Sequence, residues 1–299
     1  MENESKQDES YLINEELKKL KNKGIEEKWI VDFSELNINK KYLDKGDNGY
    51  IYDCMWRGLN IVVKTIIKYD YKLLNDFIKE VNLFRTIKHP NIVQFLGLSF
   101  DYSNNNIYIL MEKINGETLK DKIKFNKLRM KVKYNIIKQL IKTVNFLHKC
   151  KPPIIFRDLK PTNIMIDNNN NLKLIDFGLA RFIPESEKFK MTGNTGNYRY
   201  MSPEVYLNKN YNLKADIYSL GLIIYYIITD DPPFFNFSLE NLEEYFKNND
   251  TFNLYLINDK NIKLLLTKCL SKNSENRCDI DYLIFNLKKF NYKYNCLCF

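Results

Sequence analysis

The chain has 299 residues and a formal net charge of +9, with 44% hydrophobic and 28% charged residues. That length and balance exclude a disulfide-stapled miniprotein, a fibrous chain and a fully disordered one, and leave room for one large domain or two lobes. The first 30 residues hold 8 acids and 6 bases, so the positive excess lies in the remainder, where 39 lysines against 7 arginines, 39 asparagines and only 2 alanines point to A/T-biased coding.

Residues 1–30 are rich in Glu and Lys, and Leu12, Ile13, Leu17 and Leu20 fall near helical spacing. The segment reads equally as a short helical extension or a solvated tail. Its start lacks the apolar core of a signal peptide, and Glu2 excludes myristoylation. From 37 to 67 the texture changes to alternating and β-branched runs, Asn37–Leu43, Tyr50–Trp56 and Asn60–Ile67, broken by Gly and Asp clusters. These predict antiparallel strands joined by hairpins. Leu73, Leu74, Phe77, Ile78, Val81 and Phe84 then mark a helix, and Ile92–Phe100 and Ile107–Met111 predict two more strands.

After Gly116 the pattern turns helical. Ile136, Ile137, Leu140, Ile141, Val144 and Leu147 share one helix face. Residues 154–175 predict short strands around the turn Asn168–Asn171. The segment Asp176–Glu204 has little periodicity, and a loop of that length is usually functional. A very apolar helix, Leu213–Thr229, and at least two amphipathic helices follow. The longest apolar stretch, Leu220–Ile228, is far short of the roughly 20 residues of a membrane span.

Four groups of residues carry chemistry. Gly46-Asp47-Asn48-Gly49 lies at a predicted hairpin turn; alone it reads as an ordinary glycine-bearing turn, and in the context of the next strand as a loop whose glycines let backbone N–H groups approach phosphates. Lys64 ends an apolar strand and needs a partner or a charged ligand; Glu80, sixteen residues on in the helix, can pair with it. The run Phe156-Arg157-Asp158-Leu159-Lys160-Pro161-Thr162-Asn163 supplies a carboxylate, a lysine and an amide, and Asp176-Phe177-Gly178 adds a second carboxylate. Phosphoryl transfer requires such a set: a base to orient a hydroxyl, a cation for the moving phosphoryl, and oxygen ligands for Mg²⁺ or Mn²⁺. With two histidines, His89 and His148, a multi-histidine metal site is not expected. The six cysteines form no CxxC pair and read as reduced intracellular thiols, and a cytoplasmic location is expected.

From about 36 to 290 the sequence resembles the eukaryotic protein kinases. The resemblance rests on the lysine strand, the helix glutamate, His89–Val93, FRDLKPTN, IDFGLAR, Met201–Glu204, ADIYSLG and Arg277, in the order and spacing of that family. WIVDFSELNI, MWRG and GNYRYMSPE look like the tyrosine-kinase-like group of serine/threonine kinases, and Lys160 is the serine/threonine signature. The implied fold is α+β and two-lobed: extension 1–30, N-lobe 31–115 with a small antiparallel sheet and one helix, mainly helical C-lobe 116–291, tail 292–299. The resemblance also implies roles. Leu43, Gly46, Gly49, Ile51, Val62, Lys64, Glu80, Met111, Glu112, Ile114 and Met165 would form the ATP site, with Met111 as gatekeeper and Glu112–Ile114 as hinge. Asp158 would be the base, Lys160 the γ-phosphate contact, and Asn163 and Asp176 the Mg²⁺ ligands. Glu204 and Arg277 would form a buried ion pair.

Four positions depart from the family pattern. Asp44 replaces the first loop glycine, Val62 a small alanine, Phe156 a histidine, and Asn197 a threonine. They leave Lys64, Asp158, Asn163 and Asp176 in place, so an active kinase acting on Ser/Thr of protein substrates is favoured over a nucleotide-responsive pseudokinase scaffold. Ser186, Thr192 and Thr195 are candidate phosphorylation sites near Arg157 and Arg181. The final Cys296-Leu297-Cys298-Phe299 fits a prenylation pattern except for Cys298 at an aliphatic position, so an unmodified tail is favoured. The bases are spread along the chain without an aromatic-interleaved motif, so no nucleic-acid partner is expected.

Overall fold

The computed structural model describes residues 2–46, 49–66, 71–183, 198–248 and 251–290. The loop hydroxyls Ser186, Thr192 and Thr195, the departure Asn197, and the tail with Cys296 lie outside the described residues. The chain divides into two units, residues 1–88 with 93–114, and residues 89–92 with 115–299.

The first unit opens with helix α1 (Glu2–Glu26). Along this helix Leu20 is buried, and Ile13 and Leu17 are half-buried on the same side. Strands β1 (Leu36–Gly46), β2 (Gly49–Trp56) and β3 (Leu59–Ile66) follow, then helix α2 (Tyr71–Thr86) and strands β4 (Phe95–Asp101) and β5 (Asn106–Glu112). They form one antiparallel sheet in the order β1-β2-β3-β5-β4. Cys54, Ile61, Val63, Tyr108 and Leu110, with Val31, form a core against one face of that sheet. Strand β4 starts three residues later than its apolar run suggests. His89 to Ile92 belongs to the second unit, where Ile92 bridges Leu174.

The second unit contains strand β6 (Gly116–Thr118), helices α3 (Leu119–Phe125) and α4 (Met130–Lys149), and strands β7 (Ile154–Ile155), β8 (Ile164–Asp167), β9 (Leu172–Leu174) and β10 (Arg181–Phe182). Helices α5 (Pro203–Tyr206), α6 (Lys214–Thr229), α7 (Leu239–Lys247), α8 (Lys260–Cys269) and α9 (Ile280–Phe290) complete it. The stripe Ile136, Ile137, Leu140, Ile141, Val144, Leu147 of α4 is buried throughout. Helix α6 is apolar all round and buried from Ala215 to Ile227, as expected of a helix packed on every side. Gly221 permits that packing: a Cβ there would stand 2.7 Å from the Cβ of Cys269 in α8.

Strands β6, β8 and β9 make a small antiparallel sheet, and β10 pairs with β7. The Asn-rich turn between β8 and β9 is held by Asp167, whose Oδ1 accepts the N–H groups of Asn169 and Asn171 at 2.8 and 2.7 Å. No helix among the described residues is long and apolar enough to cross a membrane.

Candidate active site

In the first unit, strand register decides which side chains share a face. Ile51 lies opposite Lys64 and Asp53 opposite Val62; on the other side of β3, Val62 lies opposite Met111 and Lys64 opposite Ile109. Opposed residues point to one side of a sheet, as do alternate residues along a strand. Ile51, Val62, Lys64, Ile109 and Met111 therefore line the face away from the Val63–Leu110 core. Sequence reading found all of these but Ile109, whose place depends on a long-range register.

Lys64 Nζ lies 3.2 Å from Glu80 Oε1, with side chains 18% and 11% exposed. Glu80 belongs to the apolar stripe of α2, three residues after Phe77 and four before Phe84, both buried. The stripe that seats the helix thus carries one carboxylate toward the strand lysine. Gly46 pairs with Gly49 at the end of the β1–β2 hairpin. Leu43 is exposed, and so is Asp44, whose Oδ1 accepts the N–H of Lys45 at 2.8 Å. That carboxylate is solvated and tied to its own backbone. Glu112 accepts the N–H of Gln94 at 2.8 Å, and Ile114 is the last residue before the chain enters the second unit.

In the second unit, Asp158, Lys160 and Asn163 come together as their spacing suggests. Asp158 Oδ2 receives Lys160 Nζ at 2.7 Å and Asn163 Nδ2 at 2.7 Å, and the same Asn163 nitrogen donates to the Asp158 carbonyl at 3.0 Å. Burial pushes the Asp158 carboxyl above its ordinary value; Lys160 and Asn163 oppose the rise, and Asp176 adds to it. The N–H of Ile175 donates to the Asn163 carbonyl at 3.1 Å, which couples this loop to the approach of Asp176. Asp176 Oδ1 accepts the N–H of Gly178 at 3.1 Å. Met165 lies in β8, between Thr118 of β6 and Lys173 of β9.

The loop is held from beneath by Asp216 in α6, which is 1% exposed. Its Oδ2 accepts the N–H of Phe156 and its Oδ1 that of Arg157, both at 2.8 Å. His148 Nε2, at the end of α4, lies 3.0 Å from the same carboxylate. Arg157 needs such anchoring, because its φ of 69° is in the left-handed region that a long side chain seldom adopts. Its guanidinium is bound to the Leu179 carbonyl and, at 3.1 Å, to the Tyr211 hydroxyl. Phe156 is fully buried, edge-on to Phe177 with centroids 5.0 Å apart. An aromatic ring thus fills this departure from the family pattern by packing.

Arg277 is buried and bidentate to Glu204, with Nη1–Oε1 2.6 Å and Nη2–Oε2 2.9 Å. It also donates to the carbonyls of Lys214 at 2.7 Å and Ser271 at 3.0 Å.

The residues fit a divalent cation. Asn163 has its amide nitrogen engaged with Asp158, which directs its Oδ1 to act as an acceptor. With the Asp176 carboxylate this offers hard oxygen donors of the kind Mg²⁺ and Mn²⁺ take.

Comparison with known proteins agrees with this geometry. Residues 38–286 match the protein kinase domain family, and the chain belongs to that family. It is 35% identical over 218 residues to the serine/threonine-protein kinase VIK of Arabidopsis thaliana, covering 70% of this chain and 49% of that protein. It is 33% identical over 227 residues to a probable serine/threonine-protein kinase of Dictyostelium discoideum, covering 71% of this chain and 22% of that protein. The serine/threonine-protein kinase CTR1 of Arabidopsis thaliana is 30% identical over 218 residues, covering 69% of this chain and 25% of that protein. The chain thus spans at most about half the length of these relatives. An α+β protein kinase domain is established, with a small antiparallel-sheet lobe and a larger helical lobe.

Proposed function

We propose that the chain is a serine/threonine kinase that transfers the γ-phosphate of MgATP to Ser and Thr hydroxyls of protein substrates. The observation that carries this reading is the Asp158 carboxylate held by both Lys160 and Asn163. A carboxylate fixed in this way can accept the proton of a substrate hydroxyl and orient it for attack. Lys160, within 2.7 Å of that carboxylate, supplies positive charge where a transferring phosphoryl group would develop negative charge. Lys64, kept in place by Glu80, would hold the α- and β-phosphates.

Ile51, Val62, Met111 and Met165 would enclose the adenine, with Glu112 and Ile114 offering backbone groups and Leu43, Gly46 and Gly49 covering the nucleotide. Asn163 and Asp176 would hold Mg²⁺ or Mn²⁺, which neutralises phosphate charge when bound. Serine/threonine specificity is supported by Lys160 two residues after Asp158 and by the names of the relatives. A cytoplasmic protein with an unmodified tail fits the free thiols of Cys54, Cys150, Cys269 and Cys278.

The test is transfer of labelled γ-phosphate to a generic protein substrate, with Mg²⁺ and Mn²⁺ each supplied and Asp158→Asn as control. Phosphoserine and phosphothreonine are expected, without phosphotyrosine. Transfer no greater than that of the folded control would reject the enzyme, and phosphotyrosine as the main product would reject the specificity.

A further inference from the structure

The kinase family match begins at residue 38, yet the residues before it are built into the first unit. Helix α1 packs along α2, the helix that carries Glu80. Its buried and half-buried side is Ile13, Leu17, Leu20 and Gly24, spaced four, three and four residues apart. Gly24 lets the chain fold back closely after α1, since a Cβ there would come within 2.5 Å of Ile30 Cδ1 and 2.6 Å of Trp29 Cζ3. Lys23 Nζ reaches Asn82 of α2 at 3.4 Å.

Just after α1, one carboxylate gathers two elements. Glu27 Oε2 accepts the N–H of the Trp29 indole at 2.9 Å and pairs with the guanidinium of Arg85 in the last turn of α2. The Trp29 ring stands edge-on to Phe95, and Phe95 edge-on to Phe84 of α2. The next residues are tied to the sheet: Leu98 donates to the Trp29 carbonyl at 2.9 Å, and Val31 donates to the Leu98 carbonyl at 2.8 Å. The segment therefore grips β4 by its backbone and α2 by its side chains. A link between those two elements fixes where α2 sits on the sheet, and with it the separation of Lys64 and Glu80.

We propose that α1 and the Glu27–Arg85 pair are positioning elements that set the Lys64–Glu80 ion pair. This deepens the proposed function, because it rests on Lys64 being the phosphate-holding lysine. Glu27 and Arg85 act on the reaction only through Glu80. A variant that breaks the clamp lets α2 shift, frees Lys64 from its carboxylate, and lowers use of ATP.

The experiment uses the full chain with Gly24→Leu, Arg85→Gln and the charge-retaining Arg85→Lys. The first readout is the labelling rate of the Lys64 amine by a limiting acylating reagent, followed by mass spectrometry. It is expected to rise about five-fold in Gly24→Leu and Arg85→Gln and to stay near wild type in Arg85→Lys. The second is kcat/KM for ATP, expected to fall about five-fold in Arg85→Gln, but to be unchanged by that substitution when Glu80 is already Gln.

Wild-type labelling in both clamp variants overturns the proposal, as does an equal loss of kcat/KM in the Glu80→Gln background. Should the wild-type chain transfer no phosphate, the kinase reading fails while the labelling rates still decide the clamp. Thermal denaturation identifies a variant that has simply unfolded, and Arg85→Gln, near the helix end, then carries the test in place of Gly24→Leu.

Discussion

Replacing Arg277 by Met removes one half of a buried ion pair and leaves the other half in place. Glu204 would keep a carboxylate that is 9% exposed and has lost both guanidinium hydrogen bonds. The carbonyls of Lys214 and Ser271 lose their donors as well. Stranding one partner of a buried pair costs about 3–5 kcal/mol. The thioether of Met fills part of the volume but none of the hydrogen bonds, so a value of about 4 kcal/mol follows. For a unit of this size each kcal/mol is about 2–4 °C, which gives a fall of roughly 8–16 °C in Tm. Differential scanning calorimetry at neutral pH measures it. The double variant Glu204→Leu/Arg277→Met removes both charges and should lose less than the single variant. A single variant within about 2 °C of wild type, or a double variant that loses the sum of the two single effects, would refute the reasoning.

Other expected outcomes concern charge and thiol chemistry. The raised pKa of Asp158 means the folded chain holds that proton more tightly than the unfolded chain, so stability falls as pH rises through the raised value. Asp158→Asn should therefore melt no lower than wild type at pH 7.5, with its relative advantage shrinking toward pH 4, while under the proposed function it transfers no phosphate; calorimetry across that range checks the sign. Burial, aided by Lys173, lowers the His89 pKa from 6.5, and its Nδ1 accepts the N–H of Asn91 at 3.1 Å in the neutral form. Its contribution is present above the ordinary histidine value and lost as pH falls through the depressed one. His89→Gln should flatten the dependence of Tm on pH between about 7 and 5, and an unchanged slope would count against it. Burial pushes the Cys54 thiol up to about 11 and raises Cys269 as well, while the hydrogen bond from Cys269, at 3.8 Å between sulfurs, lowers Cys278. Among the described cysteines, iodoacetamide at pH 8 should alkylate Cys278 before Cys54 or Cys269 in the folded chain, and peptide mapping shows the order.

What could be read from the sequence was whatever a short window carries. The loop from Phe156 to Asn163 places its chemistry within eight residues, and the strand lysine and helix glutamate announce themselves as charges inside apolar patterns. The stripe of α4 and the uniform apolarity of α6 are periodic signals of the same local kind. What stayed hidden depends on residues far apart in the chain. Asp216 is one acid among 37 until the fold brings it beneath Phe156, sixty residues earlier. His148 meets the same carboxylate across 68 positions. The N-terminal segment read equally as helix or tail because its seat is α2 and the residues around Trp29, not anything in its own composition. Ile92 reads as strand because it is apolar and β-branched, but it belongs to the second unit, where its backbone bridges Leu174, 82 positions on.

The amide hydrogens of Phe156 and Arg157 end on a carboxylate rooted in a helix buried from Ala215 to Ile227. They can exchange with deuterium only when that helix yields. The loop bearing Asp158 thus has the cooperativity of the core beneath it, although loops ordinarily open at far lower free energy. Warming should not produce an intermediate regime in which the chain is folded but this loop has melted. Loss of its geometry and loss of the helical unit should be a single event, seen at one temperature by any probe.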